Sequence, residues 1–302
     1  MKRIISYSSL FSCTAVACFL VSCTQDSPQI APDGQTSQVF AADSDRFEFS
    51  DDSNLEAVEA ELNHREWNLE NPELVSVVRP DGSVDQMYQI DGDIQVTRAQ
   101  LQDLRDNPDP RQYSTNNLVS YSGNSRTIRV TGLQNYGGGF DLAPDTRTGL
   151  QWAINNLNNT NSELNFTVNF DNNLGRDIVV YRQPGNSGAG GVAGFPSGGN
   201  PFKWVQIYAG MDNFSSNTNR NRNVNEHVCN HEILHCLGFR HTDWFSRQSC
   251  GQSGESQNPT GANLIPGTPS GFDASSIMLA CFSSSTNGEM NSNDKTGLRF
   301  LY

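Results

Sequence analysis

His231, Glu232, His235, Gly238 and His241 fall in the pattern H-E-x-x-H-x-x-G-x-x-H, eleven consecutive residues. On a helix, His231 and His235 stand four residues apart, so both imidazoles leave one face and can meet a single metal ion. Glu232 is not needed as a ligand. From the neighbouring position its carboxylate can take a proton from a metal-bound water and later deliver it to a leaving amine. Gly238 can adopt the left-handed conformation that ends a helix, and the sharp turn lets His241 swing back as the third ligand. Three nitrogen ligands suit Zn2+ and leave one position open for water or substrate. A zinc site built only for stability would not require Glu232. The chain has 5 histidines, and all but His64 lie between His227 and His241, a concentration that argues against chance. No position of the motif claims His227, which is expected on the helix surface or in a contact behind the metal ligands.

This spacing resembles the metzincin form of the zinc peptidase motif, which implies a methionine turn downstream. Ser276-Ile277-Met278-Leu279 fits, with Met278 as an apolar floor under the histidines. A closer resemblance is to the bacterial dual-action HEIGH metallopeptidases. It is carried by Cys229 through Trp244, Ile265-Pro266-Gly267-Thr268-Pro269, Ala280-Cys281-Phe282 and the closing Asp294 to Tyr302. One position departs: Leu234 stands where the family name has glycine. Leucine is the better helix former, and the position points away from the metal. The resemblance implies an α+β metzincin-like zincin domain: a twisted mixed sheet, an active-site helix, a Met-turn and a loop-rich C-terminal subdomain. It implies a zinc-dependent endopeptidase acting on protein or peptide substrates, with Glu232 as the catalytic residue. Astacins and serralysins carry a tyrosine two residues after the Met-turn methionine. Here that position is Ala280, so a comparable donor must come from elsewhere, with Tyr208 and Arg240 as candidates.

The elements that must position these groups can be read in outline. The active-site helix is expected from about Asn223 to Leu237. Before it, Arg126 to Val130 reads as a first strand, Asp145 opens a helix through Leu150, Ile154 and Leu157, and Leu164 to Phe170, Ile178 to Tyr181 and Trp204 to Tyr208 read as further strands. Peptide is expected to lie along Val205 to Tyr208 or its neighbour by strand addition. The stretch Gly185 to Gly199 lacks the lysine and following helix of a phosphate loop and reads as a flexible rim.

Residues 53–112 form a unit that stands apart from the catalytic pattern of 113–302 and reads as a pro-region. Asn54 to Leu69 has helical spacing, Leu74 to Val78 and Met87 to Ile90 flank a Pro80-Asp81-Gly82 turn, and Thr97 can cap a helix through Leu101 and Leu104 that Pro108 and Pro110 end. Ile90-Asp91-Gly92-Asp93 resembles the hydrophobic-x-Gly-Asp segment of astacin pro-regions, which implies that Asp93 could occupy the open zinc position as a latency switch. A plain hairpin turn is the other reading.

At the N-terminus, Lys2 and Arg3 precede an apolar stretch, and 1–22 reads as an export signal. Leu20-Val21-Ser22-Cys23 resembles a bacterial lipobox, with Cys23 as the lipidated first residue and 23–52 as a flexible tether. The expected location is the cell surface or outer membrane, or the extracellular space after release, with membrane contact only through Cys23. Of the remaining cysteines, Cys229 and Cys236 are about 10 Å apart along a helix, beyond the roughly 7 Å that a disulfide spans. Both could reach Cys250 and Cys281, or those two could pair with each other. The net charge of -13 disfavours nucleic acid as a partner. A hydrophobic share of 35% points to a modest core with long loops, as in an exported monomeric enzyme. A catalytically idle, zinc-stabilised surface lipoprotein that binds a partner is the alternative reading from a different class.

Overall fold

The computed structural model describes residues 72–90, 92–101, 114–251 and 263–302. The export signal, Cys23, the tether, the segment Asn54 to Leu69, Asp91, Leu104, Pro108 and Pro110 lie outside the described residues. Among those described, no helix is long and apolar enough to cross a membrane.

A parallel set forms the centre of the fold: β4 (Arg126–Leu133), β5 (Leu164–Asp171), β6 (Ile178–Gln183) and β8 (Trp204–Tyr208). The apolar run Ile178 to Tyr181 of β6 shows no alternation because all four residues are buried, the strand being covered on both faces. One face packs on α1 (Pro144–Asn158) and α2 (Thr218–Cys236). There Ile128, Val130, Val180, Val205 and Ile207 meet Leu150, Ile154 and Leu157 of α1 and Val224, Val228 and Ile233 of α2. The opposite face holds a smaller cluster of Leu133, Val179, Tyr181 and Trp204.

Pro144, with its fixed φ, opens α1 one residue before the expected Asp145. α2 begins at Thr218, not near Asn223, because Asn217 caps it: its side chain accepts from the Arg220 N–H at 3.0 Å. The two helices approach closely at Gly149. A Cβ there would lie 2.6 Å from the Glu226 backbone nitrogen.

Two expectations are corrected. The stretch Gly185 to Gly199 is not simply a rim loop: it contains β7 (Gly191–Gly194), which pairs antiparallel with β8. Glycine is required because a Cβ at Gly191 would meet Gln206 O and Glu232 Cγ, each at 2.8 Å, and one at Gly194 would meet Gln95 O at 2.4 Å. The N-terminal unit, too, does not stand apart. β1 (Glu73–Val78), β2 (Val84–Ile90) and β3 (Ile94–Val96) form an antiparallel meander, and β3 pairs parallel with β7, giving one eight-stranded sheet in the order β1-β2-β3-β7-β8-β6-β4-β5. Thr97 and Gln100 then form a reciprocal capping box at the start of the helical residues 98–101.

Among the described residues between α2 and α3 (Ser292–Leu301) the chain is mostly loop. The last residue ties it back: the Tyr302 hydroxyl donates to Leu237 O at the end of α2 and accepts from the Val119 N–H at 3.1 Å.

Two outcomes follow for the α1–α2 contact. Gly149→Val forces the helices apart and should cost about 2–3 kcal/mol in a denaturant titration; an unchanged midpoint would contradict the packing. Glu226, bonded by Asn156 Nδ2 at 2.8 Å, is pushed up to about 7 by burial and then by the charge of Glu289. A raised carboxyl contributes stability that is fully present below its unfolded value near 4.5 and is lost as pH rises through about 7. Thermal unfolding should therefore show a loss on the order of 1–2 kcal/mol across that window, after allowance for solvent screening, and Glu226→Gln should abolish it.

Candidate active site

The end of α2 is shaped by Gly238. Its φ of 101° closes a helix stop in which the Phe239 N–H donates to Leu234 O at 3.0 Å and the Gly238 N–H donates to His235 O at 2.9 Å. This reversal carries His241 back towards His231 and His235. The three Nε2 atoms lie 3.0, 3.2 and 3.3 Å from one another. His231 Nδ1 is 2.8 Å from Ile277 O and His235 Nδ1 is 2.7 Å from Phe239 O. A carbonyl only accepts, so both Nδ1 atoms carry the proton, and both Nε2 lone pairs face the centre.

Asp93, at the start of β3, completes the group. Its Oδ2 lies 3.3 Å from His231 Nε2 and 3.0 Å from His241 Nε2. Ligands about 2.05 Å from a tetrahedral zinc stand about 3.3 Å from one another, so these separations match the edges of such a site. The donor set of three imidazoles and one carboxylate fits the same metal, and all four atoms lie within 4.8 Å. Burial alone would raise the Asp93 carboxyl, but the histidines beside it, His241 foremost, hold it well below the usual range.

Glu232 is buried, and its carboxylate reaches the same cleft as Asp93 and His231. Burial, and then the charge of Asp93, pushes its carboxyl well up. The cleft encloses about 490 Å³ and is also lined by Tyr208, Phe214, Ala280 and Phe282. Burial and the two carboxylates raise the Tyr208 phenol far above its ordinary value. Arg240, the other candidate donor, lines a separate small cavity and packs on Trp244 with its guanidinium carbon 5.6 Å from the ring.

His227 takes the second of the two positions expected for it, behind the three histidines, with its ring stacked on that of His231 at 6.3 Å. It is buried in the wall of the cleft, with Nδ1 3.0 Å from Thr286 Oγ1 and its ring 5.5 Å from that of Phe282. Burial drops it to about 3, so it is neutral. The helix pattern cannot reveal this because the loop that covers His227 is far downstream in the chain.

Met278 is buried in the main core, and its carbonyl accepts from the Thr242 N–H at 2.8 Å. Two carboxylates absent from the motif hold this turn. Asp294 takes the Ser276 hydroxyl at 2.6 Å and the Ile277 N–H at 3.0 Å while also capping α3 through the Asn291 N–H. Asp243 takes the Ala280 N–H at 2.9 Å with one oxygen and the Ser249 N–H at 2.9 Å with the other. The spacing Asn291-x-x-Asp294 is a capping signal that could have located the first; nothing local marks the second. Cys250 and Cys281 form a disulfide with Cα atoms 5.1 Å apart, whereas Cys229 and Cys236 are free, buried thiols whose pKa burial raises.

Because Ile277 O orients His231, loosening the turn should loosen the metal. Asp294→Ala is expected to weaken zinc binding on the order of 10–100-fold in a chelator competition, with the far-ultraviolet spectrum retained. Undiminished affinity would show that the turn is held by other means.

Among solved structures the chain is similar to myroilysin, with 16% identity over 61% of this chain and 82% of that one and a TM-score of 0.38. It is also similar to high choriolytic enzyme 1, a hatching-enzyme zinc-protease from the medaka fish Oryzias latipes, with 14% identity, 61% and 93% coverage and a TM-score of 0.36. No curated protein matches the chain. The family model of the dual-action HEIGH metallo-peptidases matches residues 88–302, which include the histidines, Glu232 and Asp93. The chain belongs to that family and is a zinc metallopeptidase.

Proposed function

We propose that the protein is an exported endopeptidase, made as a precursor that its own N-terminal segment keeps latent. One observation carries the reading: Asp93 Oδ2 stands among the three histidine Nε2 atoms at the position a substrate carbonyl or water needs. Zinc bound to His231, His235 and His241 supplies Lewis acidity towards a scissile carbonyl and towards water. Glu232 takes the proton released there and returns it to the leaving amine.

The same segment fills the place of substrate. Ala193 of β7 donates its N–H to Asp93 O at 3.0 Å, and Ile94 and Gln95 pair with Ala193 and Gly194. When β3 leaves, β7 becomes an edge strand whose backbone can take up a peptide. Of the two strands expected to take peptide, Val205 to Tyr208 or its neighbour, this reading favours the neighbour β7, because β8 has partners on both sides. Tyr208, in the same cleft, is the better placed of the two candidate donors for the developing oxyanion. Export through 1–22, anchoring through Cys23 and action as a monomer complete the reading. It is supported over an idle zinc-stabilised binding lipoprotein by Glu232, whose buried carboxylate reaches an open cleft beside the metal ligands.

Full-length Asp93→Ala should hydrolyse a quenched fluorescent peptide on the order of tenfold faster than unprocessed wild type, since an intramolecular inhibitor acts at millimolar effective concentration. Glu232→Gln in the activated enzyme should lower kcat on the order of 10²–10⁴-fold with zinc still bound. Equal activity of the Asp93 variant and the wild-type precursor would reject latency through this residue.

A further inference from the structure

One turn before His231 on α2, His227 and Val228 line the same cleft, and two phenylalanines from distant loops join them there. The Phe282 ring lies 5.5 Å from that of His227 and 6.0 Å from that of Phe214, and His227 stacks on His231 at 6.3 Å. An aromatic wall thus begins at a metal ligand and runs away from it. Leu279 and Ala280 add apolar surface beside it.

A side chain on a loop is placed less precisely than one on a helix or strand unless its surroundings lock it. Here each ring is locked. Asn221 of α2 accepts from the Ser215 N–H at 3.3 Å and donates to Asp212 O at 3.2 Å, clamping the chain on both sides of Phe214, and Asp145 of α1 holds Asn221 Nδ2 at 3.0 Å in turn. The residue before Phe282 is Cys281, whose sulfur is bonded to Cys250 and whose N–H donates to Ser249 Oγ at 3.0 Å. His227 is held by Thr286 Oγ1, which also accepts from the Gly288 N–H at 3.2 Å. Holding zinc and moving a proton call for neither phenylalanine, so their fixed positions are explained by what they face.

The N-terminal segment puts no side chain against this wall. β3 follows β7 over Ala193 and Gly194, whereas the cleft lies at Gly190 and Gly191. The residue before Asp93 is Gly92, where a Cβ would meet nothing within 4 Å among the described residues. We propose that Phe214, Phe282 and His227 select an aromatic side chain on the substrate residue next to the scissile bond; the proposal rests on the reading that peptide lies along β7 and is cut internally at the metal. Tilted rings with centroids 5.5 to 6.0 Å apart show the geometry in which aromatic groups attract one another, and a substrate ring extends the array through the same contacts. Arg247 also lines the cleft and is the group that an acidic side chain would meet, but Glu232 in the same cleft disfavours a second carboxylate.

The test gives enzyme activated from the full chain a library of randomised peptides and maps the cuts by mass spectrometry. Aromatic residues should be enriched at one of the two positions flanking the cut. A peptide with phenylalanine there should show a kcat/KM about three- to tenfold above its leucine counterpart. Phe282→Leu should bring that ratio close to one, Phe214→Leu should lower it and Phe282→Tyr should keep it, with zinc content equal to wild type. The ratio is read within each variant, so any loss of folded enzyme cancels. An unchanged ratio in both leucine variants, or enrichment of Asp or Glu, which would make Arg247 the selector, would overturn the assignment. Failure of the underlying reading looks different. The enzyme then trims peptides from an end or cuts none, and the pocket falls with it; internal cuts without aromatic preference sink the pocket alone.

Discussion

Three imidazole lone pairs and a carboxylate oxygen held 3.0 to 3.3 Å apart, three of the four residues deeply buried, repel one another unless a cation sits between them. The surrounding structure exists to hold that arrangement. Gly238 reverses the chain, Ile277 O and Phe239 O fix two ring orientations, and Asp294 and Asp243 hold the segments that carry or flank those groups. The disulfide joins the loop after His241 to the loop after Met278, closing the same region covalently. Buried hydrogen-bonded carboxylates suit this task because each binds several backbone donors at once and leaves little freedom to the turn.

The sheet joins the N-terminal strands to the histidine cluster. β7 is short and rich in glycine because the Glu232 side chain and the backbones of Gln206 and Gln95 press on it. Its other side is filled by β3, and Asp93, the residue just before β3, is the one that meets the histidines. The pairing of β3 with β7 therefore brings Asp93 to the histidines as a consequence of register.

What the sequence reveals follows from how locally each feature is encoded. The zinc ligands and Glu232 lie within eleven residues, and helix periodicity alone places two histidines on one face. β6 and β8 are legible as apolar runs, and the fold class follows from the family resemblance. β7 is not legible, because glycine carries no alternation and its strand conformation is imposed by neighbours distant in sequence. The joining of β1–β3 to the catalytic sheet is equally hidden: it depends on the Ile94–Ala193 register, a pairing of residues far apart in the chain. His227 is left between a surface and a buried position for the same reason, since its burial comes from Thr286 and Phe282. Asp93 is marked in the sequence by its glycine turn and by the resemblance to astacin pro-regions, but its distance to His231 is a property of the folded sheet.

The proposed latency and the proposed exposure of the β7 edge both depend on Asp93 as the fourth ligand. A crystal structure of the zinc-loaded precursor, with the metal located by its anomalous signal, tests this directly. The expected result is zinc bound by Nε2 of His231, His235 and His241, with Asp93 Oδ2 about 2.0–2.2 Å from the ion. Zinc carrying a water at that position, with Asp93 turned away, would contradict it.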